Sequence, residues 1–309
     1  MDLSVIVPTY GRPEPVVRLL GELAEQTLPP DRYEVIIVDD GSPEPIAPRL
    51  RSVPAPHSLR VLTQRNGGPG AARQAGVAQA KGDVLVFLDD DMAVGPGFLE
   101  AHAREHERMP RAAVQGRIVS PPDIDERPPF ERYHAQRLAR SFAELAAGRT
   151  KLRGQNLCSG NLSVRRFVFE EVGGFDTTLP RSEDAELGLR LERASVSLVY
   201  SDAASAAHCS GPESVEGWLE GAFRYGACER KVSEKHPWAA HADPFRYVFL
   251  LGPARGTLLA ACALAPGAAR PVPAALVAAG EALDRAGLRS AAVHLTGLAY
   301  GTQLFRGLG

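Results

Sequence analysis

The first third of the chain alternates short apolar runs with stretches whose apolar residues recur at helical spacing. Residues 3–7 form a mostly apolar run ending at Pro8, as a buried parallel strand would. Over 15–26, Val16, Leu19, Leu20 and Leu23 share one helical face. A second apolar run, 35–38, stops at Asp39-Asp40-Gly41-Ser42. A third spans 59–63, and 69–80 reads as a helix with proline in its first turn. A fourth run, 84–88, leads straight into Asp89-Asp90-Asp91. Strands alternating with helices predict an α/β fold, a mostly parallel sheet flanked by helices on both faces.

Further along, the pattern loosens. Residues 121–129 are proline-rich and acidic, which predicts a loop, and 128–147 suit a helix. Residues 154–164 end in a strand-like stretch after Cys158-Ser159-Gly160-Asn161. The run 182–193 is a charged amphipathic helix, with Ser182 placed to cap it. Residues 196–200 read as a short strand and 214–235 as a long helix. From about 244 the chain turns rich in alanine, leucine and glycine. The apolar stretch 247–264 contains Arg255 and is broken by Gly252-Pro253. Helices packed on the main domain, or lying on a membrane surface, are expected there rather than a spanning helix.

Composition narrows the field. The chain has 309 residues, 44% hydrophobic and 23% charged, with a formal net charge of -2. That suits a folded domain with a full core and argues against a nucleic-acid binder. Its four cysteines form no C-x-x-C pair, so a reducing, cytoplasmic setting is expected. The first residues read as a strand, without the basic region and cleavage site of a signal peptide.

Polar residues cluster just after the strands, at Thr9-Tyr10, Asp39-Asp40 and Asp89 to Asp91. Open α/β sheets bind ligands outside the carboxyl ends of their strands. Three adjacent carboxylates repel one another, and a divalent cation removes that repulsion. The triplet alone is equally compatible with a solvated acidic turn. Asp39-Asp40-Gly41-Ser42 alone reads as turn chemistry. Asn66-Gly67-Gly68-Pro69-Gly70, followed by Arg73, offers a helix N-terminus that attracts anions, although neither a dinucleotide fingerprint nor a Walker loop is present. Glu183-Asp184 suits a helix first turn, and Asp184 also suits a general base.

In order, Val7-Pro8-Thr9-Tyr10, Val38 to Ser42, Asn66 to Arg73, Phe87 to Asp91, Gly160-Asn161, Gly173-Gly174-Phe175-Asp176 and Glu183-Asp184 resemble the family 2 glycosyltransferases of the GT-A fold. The resemblance covers roughly residues 1–235 and implies an inverting, metal-dependent transferase that uses a nucleotide-sugar, UDP by default. It also implies a GT-A type, Rossmann-like sheet with a C-terminal helical appendage. The expected division is a glycosyltransferase domain over 1–235, with its nucleotide part at 1–110 and acceptor part at 111–235, and a helical extension over 236–309.

By the same resemblance, Pro8, Thr9, Tyr10 and Arg12 line the nucleotide pocket with Asp40, Asn66 and Gly68. Asp39 meets the base, and Arg73 lies near the nucleotide or diphosphate. Asp89 to Asp91 match the Asp-x-Asp motif, with Asp91 the direct ligand of Mn²⁺ or Mg²⁺ and Asp89 and Asp90 beside the donor. Asp89 and His208 are further candidate ligands. Asp184, with Glu183, supplies the base. The acceptor is left open among saccharide, lipid carrier, protein and small molecule, with peripheral membrane contact through the C-terminal region as an option. Two other readings stand beside this one: a sugar nucleotidyltransferase and a non-catalytic nucleotide-sugar-binding module. Against the former, Thr9-Tyr10-Gly11-Arg12-Pro13 is short of glycine.

Overall fold

The computed structural model describes residues 2–50, 53–209, 214–250 and 252–309, without the side chains of Tyr247 and Leu250. Leu251, within the apolar stretch 247–264, lies outside the described residues.

Strands β1 (Leu3–Thr9), β2 (Tyr33–Asp39), β3 (Ser58–Thr63), β4 (Val84–Leu88), β5 (Met92–Val94), β6 (Ala112–Val119), β7 (Asn161–Arg165) and β8 (Ser197–His208) form one sheet in the order β3-β2-β1-β4-β7-β6-β8-β5. β1 runs parallel to β2 and β4, β2 to β3, and β6 to β8. β7 runs antiparallel to β4 and β6, and β5 to β8. The central strands β1, β2 and β4 are buried along almost their whole length, as strands covered on both faces are.

Helix α1 (Pro13–Ala24) buries Val16, Leu19, Leu20 and Leu23, the stripe its spacing predicts. Each such side chain contributes about 1.5–3 kcal/mol on full burial. The short helices α2 (Ala47–Leu50) and α6 (Arg166–Glu171) follow β2 and β7. Helix α3 (Pro69–Gln79) starts at Pro69, and its Gly76 lies so close to Ile6 and Val38 that a side chain would clash. The core beneath the sheet includes Ile6, Ile36, Phe87, Leu162, Phe169 and Phe175.

Residues 92–120, which carried no expected element, contain β5, helix α4 (Phe98–Arg108) and β6. β5 has only three residues, too few for a period to show. The expected strand 196–200 continues to His208 through Ser-Asp-Ala-Ala-Ser-Ala-Ala, residues with little strand preference. Pairing with β6 and β5 holds that half extended. Ser182 precedes helix α7 (Glu183–Arg193) in the left-handed region, φ 61°, and makes no capping bond with its side chain. The expected cap is therefore replaced by a sharp backbone turn.

The chain divides into two compact units, Met1–Pro121 with Ala139–Gly211 and Pro122–Leu138 with Pro212–Gly309. The first holds the whole sheet. The division runs through helix α5 (Pro129–Ala146). The second unit contains helix α8 (Val215–Lys235), which groups there with the C-terminal helices. Also in this unit are α9 (Arg246–Leu250), α10 (Pro253–Leu264), α11 (Pro271–Arg285) and α12 (Arg289–Leu308). Phe130, Trp218, Ala299 and Tyr300 make one of its cores, and Leu259, Cys262, Phe305 and Leu308 another. Trp218 is a core residue of this unit. Among the described residues no helix is long and apolar enough to cross a membrane.

Candidate active site

Strand register brings the polar residues to one rim. Thr9 pairs with Asp39, and Asp39 with Thr63, at the carboxyl ends of β1, β2 and β3. Leu88 pairs with Asn161, which sets Asp89 beside the start of β7. There the Asp89 N–H donates to the Gly160 carbonyl at 3.3 Å. A side-chain carbon on Gly160 would stand 2.8 Å from Asp89 Oδ2, so a larger residue there would displace the Asp89 carboxylate.

Asp39 and Asp40 build the rim. Asp39 is 1% exposed and accepts the Ser42 N–H at 2.9 Å, and more weakly the Ile46 N–H at 3.5 Å. Asp40 accepts from Gln64 Nε2 and from the N–H groups of Gly67 and Gly68, at 2.8–2.9 Å. The expectation that Asp39 meets a base thus falls on a carboxylate whose two oxygens already accept backbone donors. Gly41, at φ 80°, lies against the backbone of Asn66, and the two loops fit together there. Asn66 is exposed, Gly68 and Pro8 are partly buried, and Tyr10 is 51% exposed. Thr9 is buried, and its hydroxyl interacts with the Asp90 carboxylate.

Two arginines divide the acidic triplet. The Arg73 guanidinium is buried; it donates to Asp89 Oδ1 at 2.5 Å and to Glu183 Oε1 at 2.7 Å. It also sits 5.9 Å from the Phe175 ring centroid. Burial works to lower the Arg73 pKa, but Asp89, Glu183 and Asp184 outweigh it and hold the guanidinium above its ordinary value. Arg73, expected near the diphosphate, is thus the tie between the Asp89 and Glu183 motifs. Arg12 spans the other two carboxylates, 2.5 Å to Asp90 Oδ1 and 2.9 Å to Asp91 Oδ2. Asp90 is fully buried, and burial, opposed by Arg12, pushes it up to about 6.

Asp91 and His208 meet. Register pairs His208 with Met92, and its Nε2 stands 3.6 Å from Asp91 Oδ1. That oxygen is buried and has no hydrogen-bond partner. A carboxylate oxygen and an imidazole nitrogen are a donor pair that suits a divalent cation completed by phosphate oxygens and water. Asp89 meets Arg73 through its Oδ1. Among the described residues no group of three or more His, Cys, Asp or Glu is arranged to hold a metal. Of the expected ligands, Asp91 and His208 stand beside each other.

At the start of α7, Asp184 is partly buried, accepting the Ser159 N–H at 3.2 Å and the Ala185 N–H at 2.8 Å. Burial raises its pKa, while Arg73 and the two N–H groups oppose the rise. Glu183 is buried against Arg73, and burial together with Asp184 raises its pKa. Glu183 therefore stands behind the site and Asp184 at it. The Ser159 amide escaped sequence reasoning, since a backbone donor leaves no residue-type signal.

Beneath this rim lies a buried relay that the sequence did not suggest. Asn161 Nδ2 donates to the carbonyls of Arg117 and Ala204, so its Oδ1 accepts from His102 Nε2 at 3.0 Å. Ser163 Oγ then donates to His102 Nδ1 and accepts from His106 Nε2, both at 2.8 Å. Burial lowers His102 to about 4; burial, with His102 and Arg165, lowers His106 to about 3. Both imidazoles are neutral and fix the strand that begins at Asn161.

Comparison with known proteins identifies the family and the fold. The family described as Glycosyl transferase family 2 matches residues 4–173. An uncharacterised glycosyltransferase of Bacillus subtilis, YwdF, is 31% identical over 216 residues, covering 66% of this chain and 76% of that protein. The pre-mycofactocin glycosyltransferase of Mycobacterium tuberculosis is 29% identical over 241 residues, 76% of this chain but 48% of that protein, so the chain spans about half of this relative. A solved mannosyltransferase from Pyrobaculum calidifontis, in complex with GDP-Man and Mn²⁺, superposes with a TM-score of 0.64 at 20% identity, covering 99% of this chain and 86% of that one. Staphylococcus aureus TarS gives 0.54 at 20% identity over 79% of this chain and 42% of its own. At those identities the likeness shows the fold, which is of the GT-A type. With more than half of its residues inside the matched region, and the acidic triplet at the end of β4 among them, the chain belongs to glycosyl transferase family 2.

Proposed function

We propose that this glycosyltransferase moves a sugar from a nucleotide-sugar donor to an acceptor hydroxyl with inversion, aided by a divalent cation. The observation that carries the reading is the Arg73 bridge, which ties the acidic triplet, through Asp89, to the Glu183-Asp184 turn. One rigid unit then holds both the donor-side acids and a base.

Asp184 is the base. Its two backbone donors orient the carboxylate, burial raises its proton affinity, and Arg73 opposes that rise. Asp91 and His208 would hold Mn²⁺ or Mg²⁺, which when bound offsets the charge that grows on a leaving diphosphate. Tyr10, Asn66 and Arg12, all exposed at the rim, are available to the nucleotide. Asp39 and Asp40 shape its pocket from behind. Attack from the face opposite the leaving group inverts the anomeric carbon, through a transition state like that of glycoside hydrolysis. UDP remains the default by resemblance; the Pyrobaculum neighbour's GDP-Man puts GDP beside it.

The test is a thermal-shift panel of UDP, GDP and dTDP, each with and without Mn²⁺, joined to a turnover assay. The expected result is a metal-dependent rise in melting temperature with one nucleotide, lost in Asp91→Ala, and release of a nucleoside diphosphate from its sugar conjugate. Pyrophosphate release would make the chain a nucleotidyltransferase. Binding without turnover of any sugar conjugate would make it a binding module.

A further inference from the structure

We propose that Arg12 couples cation binding to nucleotide binding: its charge keeps a lone divalent cation off Asp91, and an arriving diphosphate releases that restraint. The proposal rests on the reading of Asp91 and His208 as the cation pair.

Arg12 differs in kind from Arg73. The Arg73 side chain is 4% exposed and locked between two carboxylates, whereas the Arg12 side chain is 49% exposed and reaches the triplet from a loop. That loop is anchored. Gly11 lies in the left-handed region at φ 66°, its N–H donates to Ser42 Oγ at 2.7 Å, and Pro13 opens α1 directly after Arg12. The backbone is thus fixed while the long side chain is half in solvent.

The head group meets Asp91 on one oxygen only. Arg12 holds Oδ2, and Oδ1 faces His208 without a partner. A cation at Oδ1 would share one carboxylate with a guanidinium, so the two positive charges stand a few ångströms apart. Even at the dielectric of bulk water that repulsion weakens cation binding by about tenfold, and near a protein surface by more. A diphosphate changes the balance. Its oxygens accept from a guanidinium and ligate a divalent cation at the same time, so both positive charges gain one anionic partner. Linkage makes the effect reciprocal: the nucleotide raises cation affinity by the factor by which the cation raises nucleotide affinity.

Mn²⁺ binding, followed by electron paramagnetic resonance of the free ion, tests this in the whole chain with Arg12→Gln and Arg12→Lys, with and without UDP, GDP or dTDP. The expected result is that Arg12→Gln binds Mn²⁺ alone about tenfold more tightly than the unmodified chain and shows a smaller gain on adding nucleotide. Arg12→Lys, which keeps the charge, stays near the unmodified chain. The tightening in Arg12→Gln shrinks as salt is raised, because exposed charges are screened. Equal Mn²⁺ affinity in all three proteins without nucleotide overturns the proposal while leaving the cation reading intact, and so does equal tightening by Gln and Lys. Absence of Mn²⁺ binding from every protein, with every nucleotide, overturns the cation reading itself.

Discussion

Asp184 and Glu183 are neighbours in sequence, yet the structure gives them opposite tasks. Asp184 is partly buried on two backbone donors, while Glu183 is spent on Arg73. Asp184→Asn keeps the size of the side chain and removes the proton acceptor. It is expected to lower kcat by about 10²–10⁴-fold, the usual contribution of a general base, with donor affinity nearly unchanged. Calorimetric titration of donor nucleotide against the variant, set beside its turnover, checks this. A loss of affinity as large as the loss of rate would remove Asp184 from the base role. At this scale the chemistry was legible from residue type and order, but the partners were not. Nothing in the local sequence says that Arg73 lies on Asp89 and Glu183, or that His102 and His106 share Ser163. Those contacts join residues that are close only after β4, β7 and the helices have packed.

At the scale of elements, the long periodic segments were readable and the short or polar ones were not. Helix α1 and strands β1, β2 and β4 follow their apolar spacing because burial against one face or two leaves a period in the sequence. The second half of β8 leaves none, since Ala, Ser and Asp are held extended by neighbouring strands; His208 reaches Asp91 only because of that pairing. Helix α7 depends on a close backbone contact. A side-chain carbon on Gly188 would stand 2.0 Å from the Gly154 carbonyl oxygen. Gly188→Ala must therefore push the 154–156 segment and α7 apart, at a cost of about 1–3 kcal/mol, as overpacking does elsewhere. Since α7 begins at Glu183-Asp184, turnover falls as well. Urea denaturation and a rate assay on the same variant read both effects; unchanged stability would mean the contact is slack.

At the scale of the whole molecule, two units with separate apolar cores predict unfolding in more than one step. The two tryptophans, Trp218 and Trp238, both lie in the unit that contains α8 to α12, so fluorescence reports that unit alone, whereas circular dichroism reports both. Phe305→Ala, at a site 2% exposed, is expected to lower the stability seen by fluorescence by about 3–5 kcal/mol. Leu20→Ala, at a fully buried position of α1 in the unit that holds the sheet, is expected to shift the dichroism transition and leave the fluorescence transition in place. Coincident shifts of both probes in both variants would show a single cooperative unit.

The sequence by itself determined that alternating strands and helices make an α/β sheet, that polar residues gather where strands end, and that their order matches glycosyl transferase family 2. Those properties are local or ordered along the chain, so a period, a turn residue or a motif records them. Tertiary structure alone decided which carboxylate each arginine takes, that Asp39 and Asp40 hold loops, that His208 stands beside Asp91, and that α8 joins the C-terminal helices. Each depends on strand register or on packing between segments far apart in sequence. The free energy of such contacts belongs to pairs of distant residues, and no single stretch of chain carries it.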